Sequence, residues 1–237
     1  MDAIIASSSL AVEAMRQATA SIPIVMTGVG NPVGSGFVAS LAHPGGNITG
    51  LTNVSIDISS KYLEFLHEAA PKVSRVAILI NPVHANHPVV LKQVQAGAKS
   101  IGVTVAPITV RTVEQMGAAL AAVVREHAGA LIVPPDPGFQ TKAREVAEFA
   151  VKHRLPTMFG TNGAAESGGL LSYAANTADM MRRAGGLIAK ILGGTKPADL
   201  PVEFPTRFEM AVNLKVAKAL GLTISQSLLI RADKIIQ

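Results

Sequence analysis

The sequence predicts an α/β fold built on doubly wound parallel sheets. Short apolar runs alternate with longer stretches of helical period along nearly the whole chain. The runs are continuously apolar rather than alternating, as strands are when helices cover both faces of a sheet. The connections are short and closed by Gly or Pro, which is the pattern of repeated strand–helix units with right-handed crossovers.

The elements follow in order. Residues 2–6 read as a first strand, so the chain opens inside a folded element, and a helix runs from the serines behind it to about Ala20. Further strands are expected at 22–26, 75–80, 103–108, 130–133 and 156–159. In the helical stretch 59–70, Tyr62, Phe65, Leu66 and Ala69 share one face. In 112–126, Val113, Met116, Leu120 and Val123 or Val124 do the same. Pro71, Gly102, Gly129 and the Gly193-Gly194 pair mark helix ends. Two Gly-flanked stretches break the rhythm. One is 43–50 with an extended Leu51-Thr52-Asn53 behind it, and the other is 168–174. They read either as hinge crossings between two lobes or as loops with an edge strand. A proline-bearing connection at 195–208 leads to a last strand and a short helix.

Composition closes off several classes. With 49% hydrophobic and 16% charged residues, disorder is excluded. No apolar run reaches the roughly 20 residues of a membrane span, so no direct membrane insertion is expected. There is no cysteine, hence no disulfide, thiol nucleophile or Cys-held metal. The net charge of +5 is spread over dispersed Lys and Arg without interleaved aromatics, so no nucleic acid partner is expected. The first residues carry Asp2 where a signal peptide carries a basic region, and their apolar stretch is too short for one.

In open α/β sheets ligands lie beyond the carboxyl ends of the strands. Behind the first strand stand Ser7, Ser8 and Ser9, whose hydroxyls and nearby free amides suit an anion; one of them also suits an N-cap. Gly28 and Asn31 lie in a Gly-rich loop behind the second strand. Its spacing is wrong for a dinucleotide fingerprint, since three residues separate Gly30 from Gly34, and Pro32 stiffens the turn. Asn81, Asn86, His84 and His87 follow the strand at 75–80, but no acidic residue in that loop joins the histidines, so no metal is expected. Asp136, held between Pro135 and Pro137, suits either capture of a ligand ammonium or hydroxyl or the N-cap of the following helix. Asn162 follows the strand at 156–159, and Tyr173, like Phe139 and Phe159, reads either as a ring that stacks on a ligand or as ordinary core or hinge packing.

No nucleophile elbow, Walker loop or His-Glu-x-x-His stretch is present, and carboxylates do not cluster. The rim is rich in Ser, Thr, Asn and Gly, which orient a ligand but do little acid–base work near neutral pH. The sequence therefore reads as a recognition protein, with no catalytic residue and no cofactor.

Several stretches carry a resemblance: residues 2–7, 21–25 and 31–41, the run Pro44-Gly45-Gly46-Asn47-Ile48-Thr49-Gly50, then 168–173, 213–224 and 228–233. Together they resemble ABC-transporter substrate-binding proteins of the tryptophan- and phenylalanine-binding kind. The resemblance implies two α/β lobes of the type I periplasmic-binding-protein form, with an amino-acid-like solute in the cleft between them. The lobes are expected at 1–50 with 173–195, and at 51–172 with 196–237. It also implies a permease partner and a periplasmic location, although the chain shows no signal peptide. Ser7, Ser9, Asn31, Asn81 and Asp136 are the ligand residues it carries over. Relatives often have Asp in place of Asn31 and Gly-Thr-Pro in place of Ser8-Ser9-Leu10, which leaves the charge preference for the ligand open. They also have strand–helix units ahead of the position of Met1, so the first lobe is expected to be incomplete and to show unpaired strand edges. The alternatives are a ligand-sensing domain of a regulator, which would need an attached DNA-binding module, and an α/β enzyme, which would need a convergent nucleophile and base.

Overall fold

The computed structural model describes residues 1–52, 56–84 and 86–237. Asn53, expected to be extended, and Ala85 of the histidine loop lie outside the described residues. The strand–helix rhythm opens with β1 (Ile4–Ala6), α1 (Ser9–Ala18) and β2 (Ile24–Val29), and is interrupted where β3 (Ile48–Thr52) follows β2 without a helix between. It continues through α2 (Ile56–Ala69), β4 (Arg75–Ile80), α3 (His87–Ser100), β5 (Thr104–Thr109), α4 (Met116–Arg125) and β6 (Ala130–Val133). Next come α5 (Pro137–Thr141), α6 (Ala143–Lys152), β7 (Thr157–Phe159), β8 (Leu171–Ala175), again with no helix between the two strands, and α7 (Thr177–Leu192). The chain ends with β9 (Phe208–Asn213), α8 (Leu214–Leu220), α9 (Gln226–Arg231) and β10 (Lys234–Ile236). It forms two compact units, residues 1–55 with 175–207 and residues 56–174 with 208–237.

In the first unit, β1, β2 and β3 form a parallel sheet in that order, with Ile4 beside Ile24 and Ile24 beside Ile48. Alternation along β2 divides the core. Ile24 and Met26 pack with Val12 of α1 and with Phe37 and Val38, while Val25 turns to Met180, Ala184 and Leu187 of α7. The strands close up at Gly50, where a Cβ would lie 2.1 Å from the Met26 carbonyl oxygen. The segment 196–207, expected in the second lobe, runs with this unit instead. Glu203 N donates to Gly50 O (2.9 Å), Thr52 N to Glu203 O (3.0 Å) and Val202 N to Leu41 O (2.7 Å). Its polar backbone thus satisfies the open edge of β3, and Arg183 of α7 clasps Glu203 and the Phe204 carbonyl.

The second unit has a seven-stranded sheet in the order β10-β9-β8-β7-β6-β4-β5. From β5 to β8 the neighbours are parallel. The expectation of wholly parallel sheets is corrected at β9. Asn213 N donates to Leu170 O and Asn176 N to Arg207 O, both at 2.9 Å, so β8 and β9 run in opposite directions and the sheet is mixed. Helices cover both faces. Val76, Ile78 and Ile80 pack with α2, α3 and α8, while Ala77 and Leu79 pack with α4 and α6. The crossover from β4 to β5 through α3 therefore lies on one face, and the return to β6 through α4 lies on the other. That reversal opens a crevice beyond the carboxyl ends of β4 and β6.

Candidate functional site

The regular pairing of β4 with β6 ends at Ile78 and Ile132, and the two chains beyond it carry Asn81 and Asp136. Asn81 Nδ2 donates to Asp136 Oδ2 at 2.9 Å, bridging the crevice. Asn81 Oδ1 takes the amide of Val83 (3.1 Å), as an Asn-Pro turn does. Asp136 Oδ1 accepts from the amides of Gly138 (2.7 Å) and Phe139 (3.2 Å), making this residue the N-cap of α5. Of the two roles left open by the sequence, the N-cap is filled by Oδ1, while Oδ2 of the same carboxylate, only 5% exposed, is held by Asn81. The end of β7 presses on the same loop: a Cβ on Gly160 would lie 2.6 Å from the Pro135 ring and 2.6 Å from the Tyr62 hydroxyl.

Two residues set aside by the sequence reading join this group. His87, 0% exposed, accepts the Asn81 amide at Nδ1 (2.8 Å) and meets Pro135 O at Nε2 (3.1 Å). The first bond requires a bare Nδ1, so Nε2 carries the proton and donates. Burial, and then the neighbouring His84, push the His87 pKa down to about 4. His84 stacks on His87 with ring centres 4.5 Å apart, and burial lowers its pKa as well. The acidic partner absent from the loop comes from the loop behind β6: ligand atoms of His84, His87 and Asp136 all lie within 4.8 Å of one another. Such a trio could in principle hold a cation. However, both nitrogens of His87 are engaged by backbone groups, and its ring stacks on that of His84 rather than converging with it on a point.

In the first unit the candidates gather at the ends of β1 and β2. Ser8 is the N-cap of α1, its hydroxyl accepting from Ala11 N at 3.1 Å, and Ser9 is the first helical residue. Ser7 is exposed and accepts from the buried Thr27 hydroxyl at 3.1 Å, a partner not foreseen from sequence. Gly28 adopts φ +71°, the left-handed region, against the Ser7 carbonyl. Asn31 is exposed and turns its Oδ1 to the Gly34 amide (2.8 Å), closing a local turn.

The remaining candidates lie elsewhere in the second unit. Asn86 precedes α3 without a side-chain cap, and its amide reaches His84 Nδ1 at 3.4 Å. Asn162 is half-buried in the turn behind β7. Tyr173 is engaged by two aromatic neighbours, Phe65 edge-to-face at 5.0 Å and Phe208 at 5.8 Å, on the α2 side of the sheet.

A family model described as ABC transporter substrate binding protein matches residues 1–236. A tyrosine-binding protein of Clostridioides difficile is 29% identical over 222 residues. The alignment covers 93% of this chain and 63% of that protein, so the chain spans less than two thirds of the curated relative. Among solved structures, an ABC domain in complex with L-Trp from Streptococcus pneumonia is 26% identical with a TM-score of 0.90, covering 99% of this chain and 79% of that one. A ligand-free, open substrate-binding protein with adhesive properties from Clostridium difficile is 27% identical with a TM-score of 0.73, covering 100% and 78%. The expectation of a type I periplasmic-binding-protein fold is borne out.

Proposed function

The chain belongs to the family of ABC transporter substrate-binding proteins, and from that premise we propose that it captures an amino-acid-like solute, aromatic amino acids first, for an uptake transporter. The observation that carries this is the Asp136 carboxylate. It is fixed by two backbone amides and Asn81, and its Oδ2 has unused acceptor capacity at the switch point of the sheet, where it suits a ligand ammonium. The start of α1, with Ser7, Ser8 and Ser9, suits a carboxylate. The rim of Asn, Ser and Thr offers recognition, and the family is a class of binding proteins rather than enzymes. A permease would be the partner that receives the solute, and the periplasm or cell exterior the place of work. Among the described residues no helix is long and apolar enough to cross a membrane.

The test is a calorimetric titration with L-tryptophan, L-phenylalanine and L-tyrosine, alongside 3-indolepropionate, which lacks the ammonium. An amino acid should bind, and loss of the ammonium should weaken binding about 100-fold, as removal of a charge-assisted hydrogen bond does. A folded chain that binds none of the amino acids overturns the proposal, and equal affinity for the indole acid overturns the role of Asp136.

A further inference from the structure

We propose that His87 is a positioning residue for the solute site, a brace that holds the Asn81 and Asp136 loops in register; this rests on the reading of Asp136 as the ammonium acceptor. Ladder pairing between β4 and β6 stops at Ile78 and Ile132. Past that point His87 supplies the link, accepting a hydrogen bond from the Asn81 backbone amide at Nδ1 and donating one from Nε2–H to the Pro135 carbonyl. Both partners are backbone groups one residue or less from a site side chain, so the ring sets how far Asn81 Nδ2 stands from Asp136 Oδ2. A purely space-filling residue at this buried first position of α3 would be apolar. A fully buried imidazole with both nitrogens engaged is suited to fixing a geometry instead.

The surroundings keep the brace in its neutral form. The charged or titratable groups facing the ring are His84 from its own loop and Asp136 from the loop behind β6, while α5 contributes the apolar Phe139 ring at 5.6 Å. Desolvation outweighs the pull of Asp136, and Nδ1 remains an acceptor at neutral pH.

His87→Phe keeps the ring volume and removes both bonds, and His87→Asn offers an oxygen to the Asn81 amide. Each is titrated at a temperature where circular dichroism shows it folded. His87→Phe should weaken L-tryptophan binding about 10-fold or more, with His87→Asn in between, as expected for one or two lost hydrogen bonds. The loss should be confined to the ammonium-bearing ligand and leave 3-indolepropionate binding unchanged. Equal loss for both ligands, or for neither, overturns the positioning role. Should the wild-type chain bind no amino acid, the functional proposal fails by itself, and the brace is then read by hydrogen exchange. The Asn81 amide should be protected in the wild type and exchange about 10-fold faster in His87→Phe, in line with local opening; unchanged exchange overturns the brace.

Discussion

Exchanging the two side chains that bridge the crevice tests the polarity of the Asn81–Asp136 bond. In Asp136→Asn the oxygen can still cap α5, but the new amide group faces the Asn81 amide group at a site where the donor–acceptor distance is 2.9 Å. A donor then meets a donor inside a nearly closed site, and loss of a hydrogen bond to a charged group removes about 1.5–3 kcal/mol. For a unit of this size that corresponds to a melting point lower by roughly 3–12 °C. Asn81→Asp places two carboxylates face to face and should be at least as damaging. The double variant Asn81→Asp with Asp136→Asn reverses the bond. The carboxylate introduced at position 81 still accepts from the Val83 amide, and the side-chain amide introduced at position 136 both caps the helix and donates across the crevice. Urea denaturation of the four proteins should show at least about 1 kcal/mol of stability recovered relative to the sum of the single variants. Additivity within about 0.5 kcal/mol would refute the reasoning, because it would mean that the two side chains do not sense each other.

Two further outcomes follow from single residues. Gly50→Ala puts a methyl group 2.1 Å from the Met26 carbonyl oxygen at φ +139°, so the first unit should lose about 3 kcal/mol or more; Gly46→Ala, with nothing within 4 Å, should change the urea midpoint little. His87 takes up a proton near pH 6.5 when unfolded and only near 4 when folded, so the unfolded chain binds more protons between those values. Stability is therefore full above about pH 6.5 and falls towards pH 4 by up to about 3 kcal/mol, a slope that urea melts should show in the wild type and find reduced in His87→Phe.

Strands whose apolar runs end on a turn former were legible to within a residue or two: 75–80 and 130–133 as read are β4 and β6. The helix expected at 112–126 begins instead as a 3-10 turn at Val113–Gln115 before α4, because side-chain periodicity does not distinguish the two windings over one turn. The opposite direction of β9 was invisible for a related reason, since an apolar run carries no sign of its polarity. The candidate site was legible one strand end at a time. Asn81 and Asp136 were named separately, but their hydrogen bond depends on β6 pairing with β4 rather than with β5, a fact of sheet order that no local pattern encodes. The histidines were set aside for want of an acid in their own loop, and the acid arrives 55 positions away from Asn81 by that same pairing.

The interleaving of the two units has a bearing on synthesis. Neither unit is a continuous stretch of chain: the three strands described in the first lie before residue 53, yet the helix that covers Val25 and Leu51 begins at Thr177. On a ribosome adding residues at ordinary rates, that apolar face waits on the order of ten seconds for its cover. During that interval the β3 edge, later satisfied by Glu203, is open as well. The nascent chain thus exposes an apolar sheet that the folded unit conceals, and a circular permutant that brings residues 177–207 closer to β3 in chain order should shorten that exposure.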